Sequence, residues 1–89
     1  MNYILLNIFF INRYELENKL KSAREEKRVC RGVVKKFERD FFTANGRLPQ
    51  KKEDKYETIE SELLYSKYKK LRGIVRLLEV LIAKQKSQS

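Results

Sequence analysis

The chain has no histidine and no tryptophan, one cysteine, one proline and three glycines among its 89 residues. Each shortage removes a class of chemistry. Without histidine there is no base that titrates near neutral pH and no ordinary zinc site. Cys30 has no second cysteine to form an internal disulfide and no base to turn it into a catalytic thiol. Phosphate-cradling loops of the GxGxxG or GxxxxGK[ST] kind are missing as well. Acid pairs such as Glu25-Glu26 and Glu53-Asp54 read as helix surface, because a catalytic carboxylate needs a pocket that shifts its pKa. These absences point to a non-enzymatic protein with no cofactor, no metal and no small-molecule substrate.

What the chain does contain is charge and helix-forming residues. Charged residues make up 37% and hydrophobic residues 42% of the sequence. That mixture belongs to long helices or coiled coils, and it is too apolar for wholesale disorder. A chain of this length forms at most one domain with a modest core. Twenty-one Lys and Arg against twelve Asp and Glu leave a formal charge of +9, which favours nucleic acid, anionic lipid or acidic protein surfaces. Acidic residues are interspersed with the basic ones, so a solvated, lysine-rich helix surface explains the same numbers. The unpaired cysteine suggests an intracellular setting, cytoplasmic or nuclear.

The stretch Phe37–Pro49 organises the rest. An apolar helical face runs into it, Asn45-Gly46 offers a left-handed stop with Leu48 placed to touch back, and Pro49 keeps the helix stopped. Before it, Leu16, Leu20, Ala23, Cys30, Val34, Phe37, Phe41 and Ala44 recur in alternating steps of four and three, with Lys27 in the one polar place. On this seam Lys27 either snorkels its ammonium outward or disfavours wrong registers, and Cys30 is a small buried hydrophobe. After it, Leu64, Tyr68, Leu71, Val75, Leu78 and Ile82 form a second seam. Asp54 with Glu57 resembles the N-cap of that second helix. A short connection implies antiparallel neighbours. The expected architecture is an all-α, coiled-coil-like two-helix hairpin over residues 13–89, turning at about 45–53. Facing seams would set Phe37 on Leu64, Cys30 on Leu71 and Leu20 on Ile82.

Residues 1–12, MNYILLNIFFIN, form a separate apolar segment, too short for a membrane span. Three readings stand beside one another: it extends the helix and packs on the hairpin, it is a tail without a native role, or it targets a membrane. Gly32 and Gly73 sit inside the helices, off the seam. Either another backbone approaches them or they are tolerated weak spots.

With these residues in place, the chain resembles the C-terminal helical region of the proteins called family with sequence similarity 13. The likeness covers about residues 14–85. It rests on Glu15-Leu16-Glu17, Arg28-Val29, Phe37-Glu38 with Phe41-Phe42, Gly46-Arg47, Lys52-Glu53-Asp54, Tyr68-Lys69 and Arg76–Gln85. Longer members of that family carry an upstream Rho GTPase-activating domain, and no such activity transfers to this stretch. The resemblance implies a helical coiled-coil module of a signalling-associated family, without catalytic residues. Gly73-Ile74-Val75 is more apolar than the family pattern. A weaker likeness, to a replication-associated segment of some RecQ-like helicases, rests on Phe37-Glu38, Phe41, Gly46–Pro49 and Tyr65 to Leu71.

Two surfaces follow as candidates. Ile74, Leu77, Val80 and Leu81 lie off the second seam, and a two-helix pair cannot cover them. They mark a protein-interaction face for a partner protein or a second copy. The alternative is a nucleic-acid contact around the turn through Lys35, Lys36, Arg39, Arg47, Lys51 and Lys52. Of the aromatics, Tyr3, Tyr56 and Tyr65 alone fall where base stacking would be open to them.

Overall fold

Asn12 turns the chain into its first helix. Its backbone is extended and its Oδ1 accepts the Glu15 N–H at 2.9 Å, satisfying one donor that a helix start leaves open. The computed structural model describes residues 12–88. The expectations for residues 1–11 lie outside them.

The first helix, α1, spans Arg13–Asn45, thirty-three residues or about 50 Å at the standard rise. It ends as its sequence requires. Gly46 takes the left-handed conformation at φ 72°, and its N–H reaches the Phe42 carbonyl at 2.8 Å. An L residue there would bring its Cβ against the backbone, which glycine avoids. Leu48 stays half exposed, and Pro49 is the buried residue of the turn. No basic residue falls in the last turn of α1, so the helix dipole contributes little to this stop.

A one-turn helix, α2 (Lys52–Lys55), precedes the long α3 (Ile59–Gln88). Asp54 does not cap α3. Its Oδ2 accepts the backbone N–H groups of Gln50 and Lys51, both at 3.2 Å, so it caps α2 instead. Thr58 caps the long helix. Its Oγ1 accepts the Ser61 N–H at 3.0 Å, and Ser61 Oγ accepts the Thr58 N–H at 3.1 Å. This is a reciprocal capping box with serine in the place usually held by Glu or Gln.

The fold is an all-α antiparallel hairpin of extents 53 × 24 × 17 Å, with no strand among the described residues. Its interface is the pair of seams. Leu16, Leu20, Ala23, Cys30, Val34 and Phe41 are buried from α1, and Leu71, Val75, Leu78 and Ile82 from α3. A cluster of buried residues lies at the open end: Leu16, Leu20 and Ala23 with Val75, Leu78 and Ile82, and Leu81 packed on it. Leu16 is 1% exposed. Burying an aliphatic side chain to this degree contributes about 1.5–3 kcal/mol.

Toward the connection the seam loosens. Phe37, Leu64 and Tyr68 are half-buried, Ala44 is exposed, and Ser61 continues the α3 row as a buried polar residue. The rings of Phe37 and Tyr65 meet edge-on at 5.8 Å, and Arg24 reaches Glu79 at 3.8 Å. Both contacts lie within a residue or two of the expected register. The Cys30 thiol faces the Leu64 carbonyl at 3.9 Å, about two turns nearer the connection than Leu71. Lys27 fills its place on the seam half-buried.

Gly32 and Gly73 have open space around them: a Cβ built at either meets no heavy atom within 4 Å. In helix interiors alanine is favoured over glycine by about 1 kcal/mol, and at Gly46 the sign reverses. Gly32→Ala and Gly73→Ala should each raise the melting temperature by several degrees, and Gly46→Ala should lower it. Thermal circular dichroism of the three variants checks this, and a drop for either helix-interior variant would refute it.

Candidate interaction surface

The connection is organised by Arg47. Its guanidinium donates to both carboxylate oxygens of Asp54, at 2.7 and 3.0 Å, and lies 5.3 Å above the Phe41 ring. Phe41 in turn sits 6.2 Å from Phe37, and Phe37 meets Tyr65. One side chain thus ties α2 to the last turns of α1, and the aromatic contacts carry that tie to α3. The Asp54 carboxyl is held well below the usual carboxylate range, first by Arg47 and then by the Lys51 and Gln50 amides.

The basic residues of the turn do not form one face. Arg47 is taken up by Asp54, and the Lys52 ammonium lies 5.8 Å over the Tyr56 ring. Lys36 is 3.9 Å from Asp40 and lines a cleft with Val33. Lys35 is one helical step round from Lys36, about 100° away. Arg39 and Lys51 are exposed.

The apolar candidates divide differently. Leu63, Lys67, Lys70, Ile74, Leu77 and Leu81 recur at four-three spacing, so they share one side of α3 beside the seam. Val80 stands about 100° further round, on the outward side with Gly73. The flank therefore gathers Ile74, Leu77 and Leu81 and separates Val80 from them. It also takes in residues that the seam count passed over. Val29, Cys30 and Val33 of α1 line a cleft of about 450 Å³ with Leu64 and Lys67. Val33, Phe37, Leu63, Leu64 and Lys67 line the next one, about 490 Å³. Ile74 is 47% exposed, Leu77 39%, Val29 55%, Val33 49% and Leu63 64%. One flank of the hairpin thus carries a broken apolar strip along both helices, interrupted by Lys67 and Lys70. Such a strip can exclude water against another apolar surface.

Among the described residues no group of three His, Cys, Asp or Glu is placed to hold a metal ion. No helix there is long and apolar enough to cross a membrane.

An antiparallel helical hairpin with a single seam and an exposed apolar flank is the class this geometry defines. The chain belongs to the FAM13A-like domain family, whose model matches residues 12–85. The likeness to replication segments gains no support from these comparisons. No solved structure matches the chain.

Two consequences are measurable. The depressed Asp54 pKa means that its contribution to stability is complete above about pH 4, the ordinary carboxylate value. That contribution drains away as the pH falls through the lowered folded value. Asp54→Asn should therefore melt lower than wild type at pH 6, and the gap should shrink between pH 4 and pH 2. A constant gap across a pH series of melting curves would exclude this linkage. Tyr65, open to stacking in the sequence reading, instead has its hydroxyl buried with no hydrogen-bond partner among the described residues. Burial raises its phenol pKa, and Glu38 adds to the rise. A buried hydroxyl without a partner costs about 1–3 kcal/mol. Tyr65→Phe should leave stability unchanged or raise it by up to about 1 kcal/mol, and a loss in urea titration would show an unseen partner.

Proposed function

We propose that the hairpin is a non-enzymatic, coiled-coil protein-interaction module working inside the cell. Its apolar flank is covered by another helical surface, in the first instance a second copy of the chain. The observation that carries this reading is the exposed strip of Ile74, Leu77 and Leu81 with Leu63, Val29 and Val33, beside a seam already filled. A helix that is apolar over more than its buried row needs a further neighbour. Family membership supports a helical module, and the signalling setting is part of this proposal. The chemistry the sequence lacks supports the absence of catalysis.

The test is sedimentation equilibrium of the full chain beside Leu77→Lys with Leu81→Lys, in buffer of physiological salt. The wild type should show concentration-dependent association, and the double variant should be monomeric with helicity largely retained. Leu81 packs on the core, so the exposed Leu77→Lys alone serves if the pair unfolds, with a smaller loss expected. Identical sedimentation of wild type and variants would overturn the reading.

A further inference from the structure

The opposite flank has the other chemistry. Lys21, Arg24, Arg28, Arg31 and Lys35 follow one another on α1 at steps of three and four, with no acidic residue in the row. The row runs over about 21 Å. On the same side of α3, the helical spacing brings Lys69, Arg72 and Arg76 into line with Glu79, and the Arg24–Glu79 contact shows the two rows adjoining. Only two of these eight cations have an ion pair among the described residues: Arg24 with Glu79, and Arg28 with Glu25 at 2.6 Å. Both pairs lie more than half exposed. Arg72 rests over the Tyr68 ring. Like charges at three and four residues repel, so this band is unfavourable until carboxylates or phosphates meet it.

At the open end of this flank, where the α1 row passes Glu79, lies a groove of about 680 Å³ lined by Lys21, Arg24, Arg28 and Lys86 with Ala83 and the largely buried Leu20 and Ile82. Arg31, Lys35, Lys69, Arg72 and Arg76 continue the cationic rows beyond it. Its own carboxylates are turned to arginines of this chain: Glu17 to Arg13, Glu25 to Arg28, Glu79 to Arg24. We propose that this flank is a second docking site, built for an acidic amphipathic helix of another protein. Such a helix would lay its apolar row along the groove, on Ala83 and the small exposed edges of Leu20 and Ile82, and set flanking carboxylates on the cationic rows. The geometry is that of a helix in a groove with charged edges. A phosphate backbone would gain nothing from the apolar floor. A lipid surface would want apolar side chains beside the cations, and the larger exposed ones lie on the other flank.

Fluorescence anisotropy with the full chain tests this. The probe is a labelled synthetic helix of about 21 residues, matching the row length, with leucines at four-three spacing and glutamates on the adjoining rows. Controls are a scrambled peptide of the same composition, a short DNA duplex and phosphatidylserine vesicles. The amphipathic peptide should bind with a steep salt dependence, at least tenfold tighter than the scrambled one. Arg28→Glu with Arg31→Glu and Arg72→Glu should weaken it at least tenfold, while Leu77→Lys leaves it unchanged. If charge reversal disturbs folding, the neutralising pair Arg28→Gln and Arg31→Gln should still weaken binding severalfold. No binding at low salt, equal binding of the scrambled peptide, or tighter binding of DNA or vesicles would each overturn the proposal. Loss of self-association by Leu77→Lys bears on the apolar flank alone, so the two readings fail separately.

Discussion

Two helices share one interface, and everything else about this molecule follows from that limit. A helix has 3.6 residues per turn, so a single neighbour covers one row and part of those beside it. The buried residues of each helix form that row and little more. The first half of α1 is composed accordingly, with Leu16, Leu20 and Ala23 inside and mostly charged side chains around them, and Val29 and Val33 depart from this further on. α3 is not. Its apolar arc extends past Val75, Leu78 and Ile82 to Ile74, Leu77 and Leu81, which the partner helix leaves partly or largely in water. The candidate surface is thus the remainder of a packing problem that two helices cannot finish.

The connection decides which rows meet. Gly46 stops α1 in a conformation closed to most other residues, and Thr58 with Ser61 starts α3. Between them the chain is held by one ion pair rather than by a core. Arg47 grips Asp54 in two hydrogen bonds while lying on Phe41, and Asp54 caps the short helix that follows. Because Phe41 belongs to the buried row and contacts Phe37, which meets Tyr65, the turn and the seam constrain each other. A slip of the turn would need both to give way.

The seams were legible because their period is carried by residue type alone. Leu16 to Val34 and Leu71 to Ile82 could be read directly, as could the Asn45-Gly46 stop. The cap of α3 was not. Asp54-Glu57 has the more acidic look, but Asp54 is consumed within the turn, and the working box uses Thr58 with Ser61. The pattern favours glutamate at the third position, so the serine version passes unnoticed. The candidate face was legible in part. Ile74, Leu77 and Leu81 share a side, yet counting apolar residues also swept in Val80, whose angle takes it away. Val29, Val33 and Leu63 were passed over because single valines and leucines off a seam carry no signal until the second helix is set beside them. The turn cations show the converse. Neighbours in sequence such as Lys35 and Lys36 part company on a helix, while Lys21 and Lys35, far apart in the chain, fall in one row.

The separation of chemistry between flanks bears on how a strongly basic hairpin can associate at all. Two copies approaching through their cationic rows would bring eight cations of each together. Through the apolar strips those rows point outward. Charges more than about 8 Å apart are largely screened at physiological ionic strength, and even the smallest dimension of the hairpin is 17 Å. The basic flank then contributes little repulsion to an apolar pairing. Lys67 and Lys70 are the exception, since they interrupt the strip itself. Any occupant must either meet them with carboxylates or leave room for their ammonium groups to reach water. Their flexible stems make the second course available to a symmetric copy, at some loss of packing. A carboxylate placed opposite them would instead select one partner over another. In the proposed pairing these two lysines therefore set the specificity of the apolar flank, and Ile74, Leu77 and Leu81 set its strength.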